Sequence, residues 1–451
     1  MKRLSYFFFS ILSLSLVLVS CGDDDEMDIT EPTNNLVEIA QANGFNALAA
    51  AVTKAGLIDA LSGSTDYTVF APTDEAFANL LATIGQTSVD DVPAAVLEQI
   101  LLYHVVPGKV FSTDISDGEV NTLEGSTVAL GTTSGVTVNG TSVIGPFDVE
   151  ATNGVVHTIG EVLVPAEVGK FVNSVLEPAY FSESFTSLIA AAAKANVVDA
   201  LLTTPNLTIF APDNDAFAAA GINIDAVEAD ALAAVLTYHV VGAKVMSTEI
   251  PREASTLNGN MIHFSLVETG NFINGSIEIK AVDIESGTGV VHVIDEVLFP
   301  PTGNLVQTAI ALSDGGEFTS LIAALARTAD EGTADQNLID VLGGAGPFTV
   351  FAPTNAAFQA LLDSNPNWTD LADIPLETLV SVLSYHVVPA RAFDKDVKGA
   401  LDTNNELPTA LGQNIRVNVD VMSINDISNI VGVNFNATNG VIHVIDSVLL
   451  P

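Results

Sequence analysis

Histidines are the residues of this chain whose number and spacing could do chemistry. The chain has 451 residues and seven histidines, six of which fall into three pairs with similar separations: His104 and His157, His239 and His292, His386 and His443. Two histidines and a carboxylate are a familiar ligand set for a transition metal, and Asp74 could complete the first set. Asn214 and Asn355 replace it beside the other pairs, and a neutral amide is a poor metal ligand but a good hydrogen-bond partner. The spacing is compatible with a metal site, but the asparagines favour histidines that have a structural role.

The elements that must position these histidines occur three times. Each copy starts its motif series with a stretch built on Phe-Ala-Pro: Thr68 to Phe77, Thr208 to Phe217, Thr349 to Phe358. A Tyr-His-Val-Val segment follows, and a Gly-Val-Val/Ile-His strand closes the copy. The opening stretches lie 140 and 141 residues apart, so the protein consists of three copies of one domain. Units of this length match the usual domain size, and we expect each copy to bury its own core.

Within a copy, the apolar pattern changes from helical spacing to short strands punctuated by glycines. The predicted N-caps of the helix that follows Phe-Ala-Pro are Thr73, Asp213 and Thr354. Asn139-Gly140 predicts a hairpin turn. The last strand of the first copy, residues 154–164, is apolar on both alternating faces, which is typical of a strand in the middle of a sheet.

This ordered set of motifs resembles the fasciclin, or FAS1, family, and the resemblance covers nearly everything from Asn35 to Pro451. It implies an α+β fold with three tandem FAS1-like domains, each a β-sandwich wedge flanked by helices. The corresponding boundaries are residues 35–165, 166–300 and 301–451.

The resemblance also implies roles for the Tyr-His segments. The histidine of that segment is expected to be buried and to bond, directly or through a water, to the Asp or Asn of the first motif: His104 to Asp74, His239 to Asn214, His386 to Asn355. The Tyr-His segments of animal members are regarded as adhesion determinants, which here implicates Tyr103, Tyr238 and Tyr385 together with those histidines. The alternative is that each tyrosine packs where the helix joins the strand. The histidines of the closing strands are interpreted as core residues.

The N-terminus has the features of a lipoprotein signal. Residues 1–20 combine Lys2 and Arg3 with an apolar run that is short for a membrane span, and Leu18-Val19-Ser20-Cys21 resembles a bacterial lipobox. Cys21, the only cysteine, is the predicted lipid attachment site, and residues 21–34 are the predicted acidic tether. Its acidic run resembles the export signal of certain Gram-negative lipoproteins, which places the protein on the outer membrane facing the outside; a solvated spacer is the alternative.

Composition excludes several classes of function. The formal net charge of −41 with 14 Lys and Arg rules against nucleic acid as a partner. A single cysteine allows no intrachain disulfide. The sequence contains no Gly-x-Ser-x-Gly, His-Glu-x-x-His or phosphate-cradling glycine motif, so we expect neither an enzyme nor a cofactor.

The sequence predicts a lipid-anchored surface protein whose FAS1 domains bind extracellular matrix, envelope or neighbouring-cell polymers, either protein or polysaccharide. A glycan-binding accessory lipoprotein is the alternative, although one tryptophan and six tyrosines offer few surfaces for stacking on sugars. A hydrolase is a third, less favoured reading, because two carboxylates of this acidic chain could meet in a cleft.

Overall fold

The computed structural model describes residues 32–268, 270–396, 406–418 and 420–451. Cys21, the signal segment and most of the predicted tether lie outside these residues. None of the helices in the described ranges has the length and apolar character needed to span a bilayer.

Repeat 1 contains five α-helices and seven strands. Its helices are α1 Leu36–Ala42, α2 Asn46–Lys54, α3 Ile58–Ser62, α4 Asp74–Thr83 and α5 Ala94–Tyr103. Its strands are β1 Tyr67–Pro72, β2 Val105–Pro107, β3 Gly118–Asn121, β4 Thr127–Gly131, β5 Thr137–Val138, β6 Thr141–Ala151 and β7 Gly154–Ile159.

Repeat 2 has the same arrangement with two short helices at its start. Its helices are α6 Ala166–Gly169, α7 Glu177–Tyr180, α8 Thr186–Lys194, α9 Val198–Thr203, α10 Asn214–Ala219 and α11 Ala229–Tyr238. Its strands are β8 Thr208–Pro212, β9 Val240–Val241, β10 Glu253–Ser255, β11 Met261–Val267, β12 Gly270–Ile273, β13 Ile277–Ser286 and β14 Gly289–Ile294.

Repeat 3 returns to the pattern of the first. The helices in its described part are α12 Leu305–Ser313, α13 Thr319–Asp330, α14 Leu338–Gly343, α15 Asn355–Asp363 and α16 Leu376–Tyr385. Its strands are β15 Phe348–Pro353, β16 Val387–Val388, β17 Glu406–Pro408, β18 Asn414–Asn418, β19 Ser423–Ile424, β20 Ser428–Ala437 and β21 Gly440–Ile445.

All three sheets share one strand order. In repeat 1 it is β2-β1-β7-β6-β5-β4-β3, and β1 pairs in parallel with β7 while the other neighbours are antiparallel. Every residue of β7 is buried. The prediction that the closing strand lies in the middle of the sheet is therefore confirmed, and this strand ends at Ile159.

The two faces of the central strands pack into different cores, as repeat 3 shows. Val350 and Ala352 face the helices in one apolar cluster. Phe351, one residue away, joins Ile415 and Ile424 of β18 and β19 in a second cluster. Because side chains alternate along a strand, the short β-strands of the second half must cover the face of the sheet that the helices leave open. The α+β architecture expected from the sequence is present.

Successive repeats are in direct contact. One continuous apolar cluster contains buried residues of repeats 1 and 2, α6 packs on α5, and Lys54 Nζ lies 3.0 Å from Glu183 Oε1. The helix-side cores of repeats 1 and 2 are therefore continuous, because the start of repeat 2 packs on the helices of repeat 1. On the other face of the sheet, each of these two repeats buries its own core. At the next junction, the ring centroids of His263 and Phe393 are 6.0 Å apart.

Candidate functional site

The Tyr-His segments lie at the C-termini of α5, α11 and α16, where the histidine is the C-cap residue. His104 Nδ1 lies 2.7 Å from the carbonyl oxygen of Ile100, one helical turn earlier, and so must carry the proton that is donated. Its Nε2 accepts a 2.8 Å hydrogen bond from the amide of Leu163, which follows the closing strand. His104 therefore ties the helix to the end of the repeat, and we call this pair of bonds the histidine clasp.

The clasp recurs in the other repeats. His239 bonds to Val235 and Leu298, and His386 bonds to Val382 and Leu449, with all four distances between 2.7 and 2.9 Å. Burial lowers the pKa of each of these three imidazoles to about 4, because a charged ring would lose its hydration. Each ring is therefore neutral at pH 7, with both nitrogens used by backbone groups.

The tyrosines make a second connection from the same helix end. Tyr103 Oη donates to the carbonyl of Thr127 at 3.0 Å and accepts from Asn139 Nδ2 at 2.9 Å. Tyr238 and Tyr385 make the corresponding bonds with Met261 and Asn274 and with Asn414 and Asn425. Asn139 and Gly140 have φ of 48° and 82°, so the predicted turn is confirmed, and its asparagine anchors the tyrosine.

This geometry corrects the predicted adhesion role of the Tyr-His segments. Exposure is 7 % for Tyr103 and no more than 5 % for the other two tyrosines and the three clasp histidines. Side chains that are buried and fully bonded cannot touch an external partner in this structure, so the alternative of packing at the join of helix and strand describes them.

The predicted partners of the histidines lie elsewhere. Asp74 Oδ1 accepts from the amide of Ala47 at 2.9 Å, and its Oδ2 accepts from Asn46 Nδ2. Asn214 and Asn355 bond in the same way to the amides of Ser187 and Ser320. These residues cap the free amides at the start of α2, α8 and α13 instead of bonding to a histidine, so the predicted pairing is wrong.

The neighbouring cap prediction is confirmed. The side chains of Thr73, Asp213 and Thr354 accept from the amides of Ala76, Ala216 and Ala357 at 3.1, 2.9 and 3.1 Å. In each opening motif, the polar residue directly after Phe-Ala-Pro thus caps the helix that follows, and the next residue caps a different helix.

The closing-strand histidines are core residues. Nε2 of His157, His292 and His443 lies 2.9 Å from the carbonyl of Val110, Val245 and Ala392, respectively. Each of these rings is at most 1 % exposed. Across the described part of the chain, no three His, Cys, Asp or Glu side chains are grouped so as to hold a metal ion.

A concave site lies between repeats 2 and 3, where sequence analysis named no residue. This interrepeat cleft has a volume of about 720 Å³, within the range of small-ligand pockets. Repeat 2 contributes Arg252, Glu253 and His263 to its wall, and repeat 3 contributes Arg391 and Asp396.

His263, the histidine outside the three pairs, is neutral in this cleft. Burial, and then the charge of Arg391, lower its pKa to about 4. Its Nδ1 lies 3.5 Å from Glu253 Oε2, a contact that becomes an ion pair only if the ring is protonated. A sequence signal was available, because His263 breaks the threefold pattern of the other six.

The chain matches the model of the fasciclin domain at residues 43–165, 183–300 and 316–451. It is 30 % identical over 430 residues to transforming growth factor-beta-induced protein ig-h3 of Sus scrofa, covering 94 % of this chain and 58 % of the relative. It is 28 % identical over 421 residues to periostin of Homo sapiens, covering 92 % and 47 %. The chain therefore spans about half the length of these relatives.

Among solved structures, a FAS1 domain pair from the insect cell adhesion molecule fasciclin I matches at 20 % identity, covering 59 % of this chain and 97 % of that one, with a TM-score of 0.29. That score is too low to support an argument, so the assignment rests on the three domain matches. They span most of the sequence and coincide with the three copies of the sheet, and on this evidence the chain belongs to the fasciclin domain family.

Proposed function

We propose that this protein is an extracellular adhesion or interaction protein, held at the outer membrane by lipid on Cys21, whose fasciclin domains bind a large external partner. The observation that carries the proposal is the tandem array itself: three copies of one fasciclin domain follow one another, and successive copies are in contact. An array of connected domains suits contact with something large better than turnover of a small molecule.

Repetition adds to binding even when each site is weak. Once one domain has bound, its neighbour is held at a high effective concentration beside the same polymer, so the overall affinity rises without any single tight site. The net charge of −41 makes such attachment sensitive to salt and to calcium, which screen or bridge anionic surfaces.

A glycan-binding accessory function remains the alternative. Sugar recognition usually relies on exposed aromatic rings. Within the described ranges, the large aromatic side chains exposed by more than half are Phe147 and Phe299, and Trp368 is partly buried against the core of repeat 3. This distribution favours a protein partner over a glycan.

Attachment by cells tests the proposal. Cells that produce the full-length chain are compared with cells that lack it and with cells that produce the Cys21→Ser chain, across a series of salt and calcium concentrations. We expect attachment and aggregation to require the chain and to drop in the Cys21→Ser cells, in which the chain is neither lipidated nor cleaved from its signal segment and so does not reach the outer membrane. Unchanged attachment in all three would overturn the adhesion function, and release of sugar products from envelope glycans would replace it with hydrolysis.

A further inference from the structure

The interrepeat cleft contains an arginine whose surroundings differ from those of its counterparts. The residue three positions after each Tyr-His-Val-Val segment is Lys109, Lys244 or Arg391. Lys109 Nζ lies 3.2 Å from Glu150 Oε1, and Lys244 forms an ion pair with Glu285.

Repeat 3 has Asn436 where the others have that glutamate, so the charge of Arg391 loses its built-in counterion. The Nη1 of Arg391 donates to Asn436 Oδ1 at 2.7 Å and to the carbonyl of Gly440 at 2.7 Å, and Nη2 donates to Thr438 at 3.2 Å. Arg391 Nε is buried without a hydrogen-bond partner, and no described carboxylate lies within 4.0 Å of the guanidinium.

A fixed guanidinium without a carboxylate is a costly arrangement that an anionic ligand would relieve. A buried charge is stable only when it is paired or well bonded, and neutral amide and carbonyl oxygens supply part of that compensation. Because backbone carbonyls already hold the group in place, a ligand carboxylate would meet a rigid donor with little further loss of side-chain entropy.

Arg252 supplies a second guanidinium on the opposite wall, contributed by repeat 2. Its side chain is exposed, and it forms no ion pair with a described carboxylate within 4.0 Å. Two of the chain's five arginines thus line one cleft, in a protein that has 55 acidic residues.

Two carboxylates line the cleft, and neither contacts Arg391, although the charge of Glu253 acts on that guanidinium. Asp396 accepts from the amide of Phe393 at 3.3 Å, and the positive charge of Arg252 acts on it. Glu253 lies beside His263 and is largely exposed. Both carboxylates would repel an anion, so the two guanidinium groups must outweigh them for an anionic ligand to bind.

Most of the other lining residues are apolar, and Thr438 and Asn439 are the polar exceptions. Met261 and Leu266 are 37 % and 39 % exposed, and Pro347 and Pro389 lie on the facing repeat. A ligand that fills the cleft therefore needs an apolar body next to its carboxylate. A peptide with an acidic residue between apolar residues has this character, whereas a sugar acid has hydroxyl groups that such a wall leaves without partners.

We infer that the cleft between repeats 2 and 3 binds an acidic peptide segment of a partner protein, with its carboxylate at Arg391 and Arg252 and its apolar neighbours on Met261 and Leu266. This inference deepens the proposed adhesion function by naming the ligand class, and it rests on that function for the source of the peptide.

Binding of a capped peptide, acetyl-Leu-Asp-Leu-amide, to the purified full-length chain is measured by calorimetry or NMR titration. The matched probe replaces Asp with Asn, which keeps the shape and removes the charge. We expect the Asp peptide to bind about tenfold or more tightly than the Asn peptide, as a charged hydrogen bond predicts. Equal binding of the two peptides would overturn the inference.

Three variants locate the site. Arg391→Lys makes repeat 3 resemble the other repeats, and Arg252→Gln changes an exposed side chain; both should weaken binding of the Asp peptide about tenfold. Lys109→Gln is the control at the equivalent position of repeat 1 and should leave binding unchanged. An equal loss in the control would overturn the location, and binding of oligogalacturonate in place of the peptide would overturn the ligand class.

The result also separates this inference from the adhesion function. A chain that binds the Asp peptide but supports no cell attachment keeps the cleft site and removes adhesion. A chain that supports attachment but binds no Asp peptide keeps adhesion and removes the cleft site.

Discussion

Acidification should destabilise each repeat through its histidine clasp, and repeat 3 offers the clearest measurement. The neutral ring of His386 donates from Nδ1 and accepts at Nε2, so protonation of Nε2 breaks the bond with the amide of Leu449. The folded-state pKa is about 4, whereas a histidine in the unfolded chain has a pKa near 6.5. The unfolded chain therefore binds the proton first as the pH falls.

The direction and size of the pH effect on stability follow from the difference between these two pKa values. The free energy of unfolding is highest above pH 6.5 and decreases as the pH falls toward 4. Each pH unit within this window costs about 1.4 kcal/mol, so His386 alone should cost repeat 3 about 2 kcal/mol at pH 5 and about 3 kcal/mol below pH 4.

Urea unfolding at pH 7.0 and pH 5.0, followed by the fluorescence of Trp368, measures this cost, because the only tryptophan packs against the core of repeat 3. His386→Gln should be less stable at pH 7.0 but should lose about 2 kcal/mol less than the wild type on acidification. Carboxylates and His443 titrate equally in both proteins, so the difference isolates the clasp.

Asn439→Ala is the matched control. Asn439 is a buried residue that also joins distant segments, since it bonds to the amide of Leu305 and the carbonyl of Leu342, but it does not titrate. This variant should be destabilised by about the same amount at both pH values. If His386→Gln loses as much stability on acidification as the wild type and Asn439→Ala do, the clasp is not the source of the pH dependence.

Three further predictions concern the junctions and the anchor. Because the helix-side core is continuous between repeats 1 and 2, residues 32–300 should unfold in a single transition, while 301–451 should unfold separately. Calorimetry of the full chain should show two transitions, and three would show that this continuous core does not couple the two repeats. Gly275→Ala should destabilise the chain more than Gly140→Ala by urea unfolding: both glycines have φ above +80°, but a Cβ at Gly275 would lie 2.6 Å from repeat 3, whereas one at Gly140 meets open space. Cys21→Ser should block lipid labelling and signal cleavage, and labelling of that variant would exclude the predicted attachment site.

Features that depend on neighbouring residues were predictable from the sequence. The N-cap residue of α4 and the turn at Asn139 and Gly140 follow from local backbone chemistry, and the buried closing strand follows from its apolar pattern on both faces. Each of these signals lies within a few residues of the structure that it predicts.

Features that depend on tertiary contacts were not predictable from the sequence. The partners of His104 are backbone groups, and a backbone amide such as that of Leu163 carries no signature in the sequence. The pairing of His104 with Asp74 came from the family resemblance, but this carboxylate accepts from the amide of Ala47 in α2. The interrepeat cleft was missed because the placement of one repeat against the next is not local, although the change from Lys109 to Arg391 and from Glu150 to Asn436 was visible among the copies.

The parallel pairing of β1 with β7 also constrains when a repeat can fold as the chain is synthesised. The first strand of each sheet pairs with the last, so a chain that emerges from its N-terminus exposes the apolar residues of β1 until nearly the whole repeat has followed. The histidine clasp forms later still, because Nε2 of His104 accepts from the amide of Leu163, which follows β7 in the chain. Such distant contacts slow folding and lengthen the time during which an unpaired strand can associate wrongly. A repeat cut before its closing strand should therefore aggregate instead of forming a smaller stable domain.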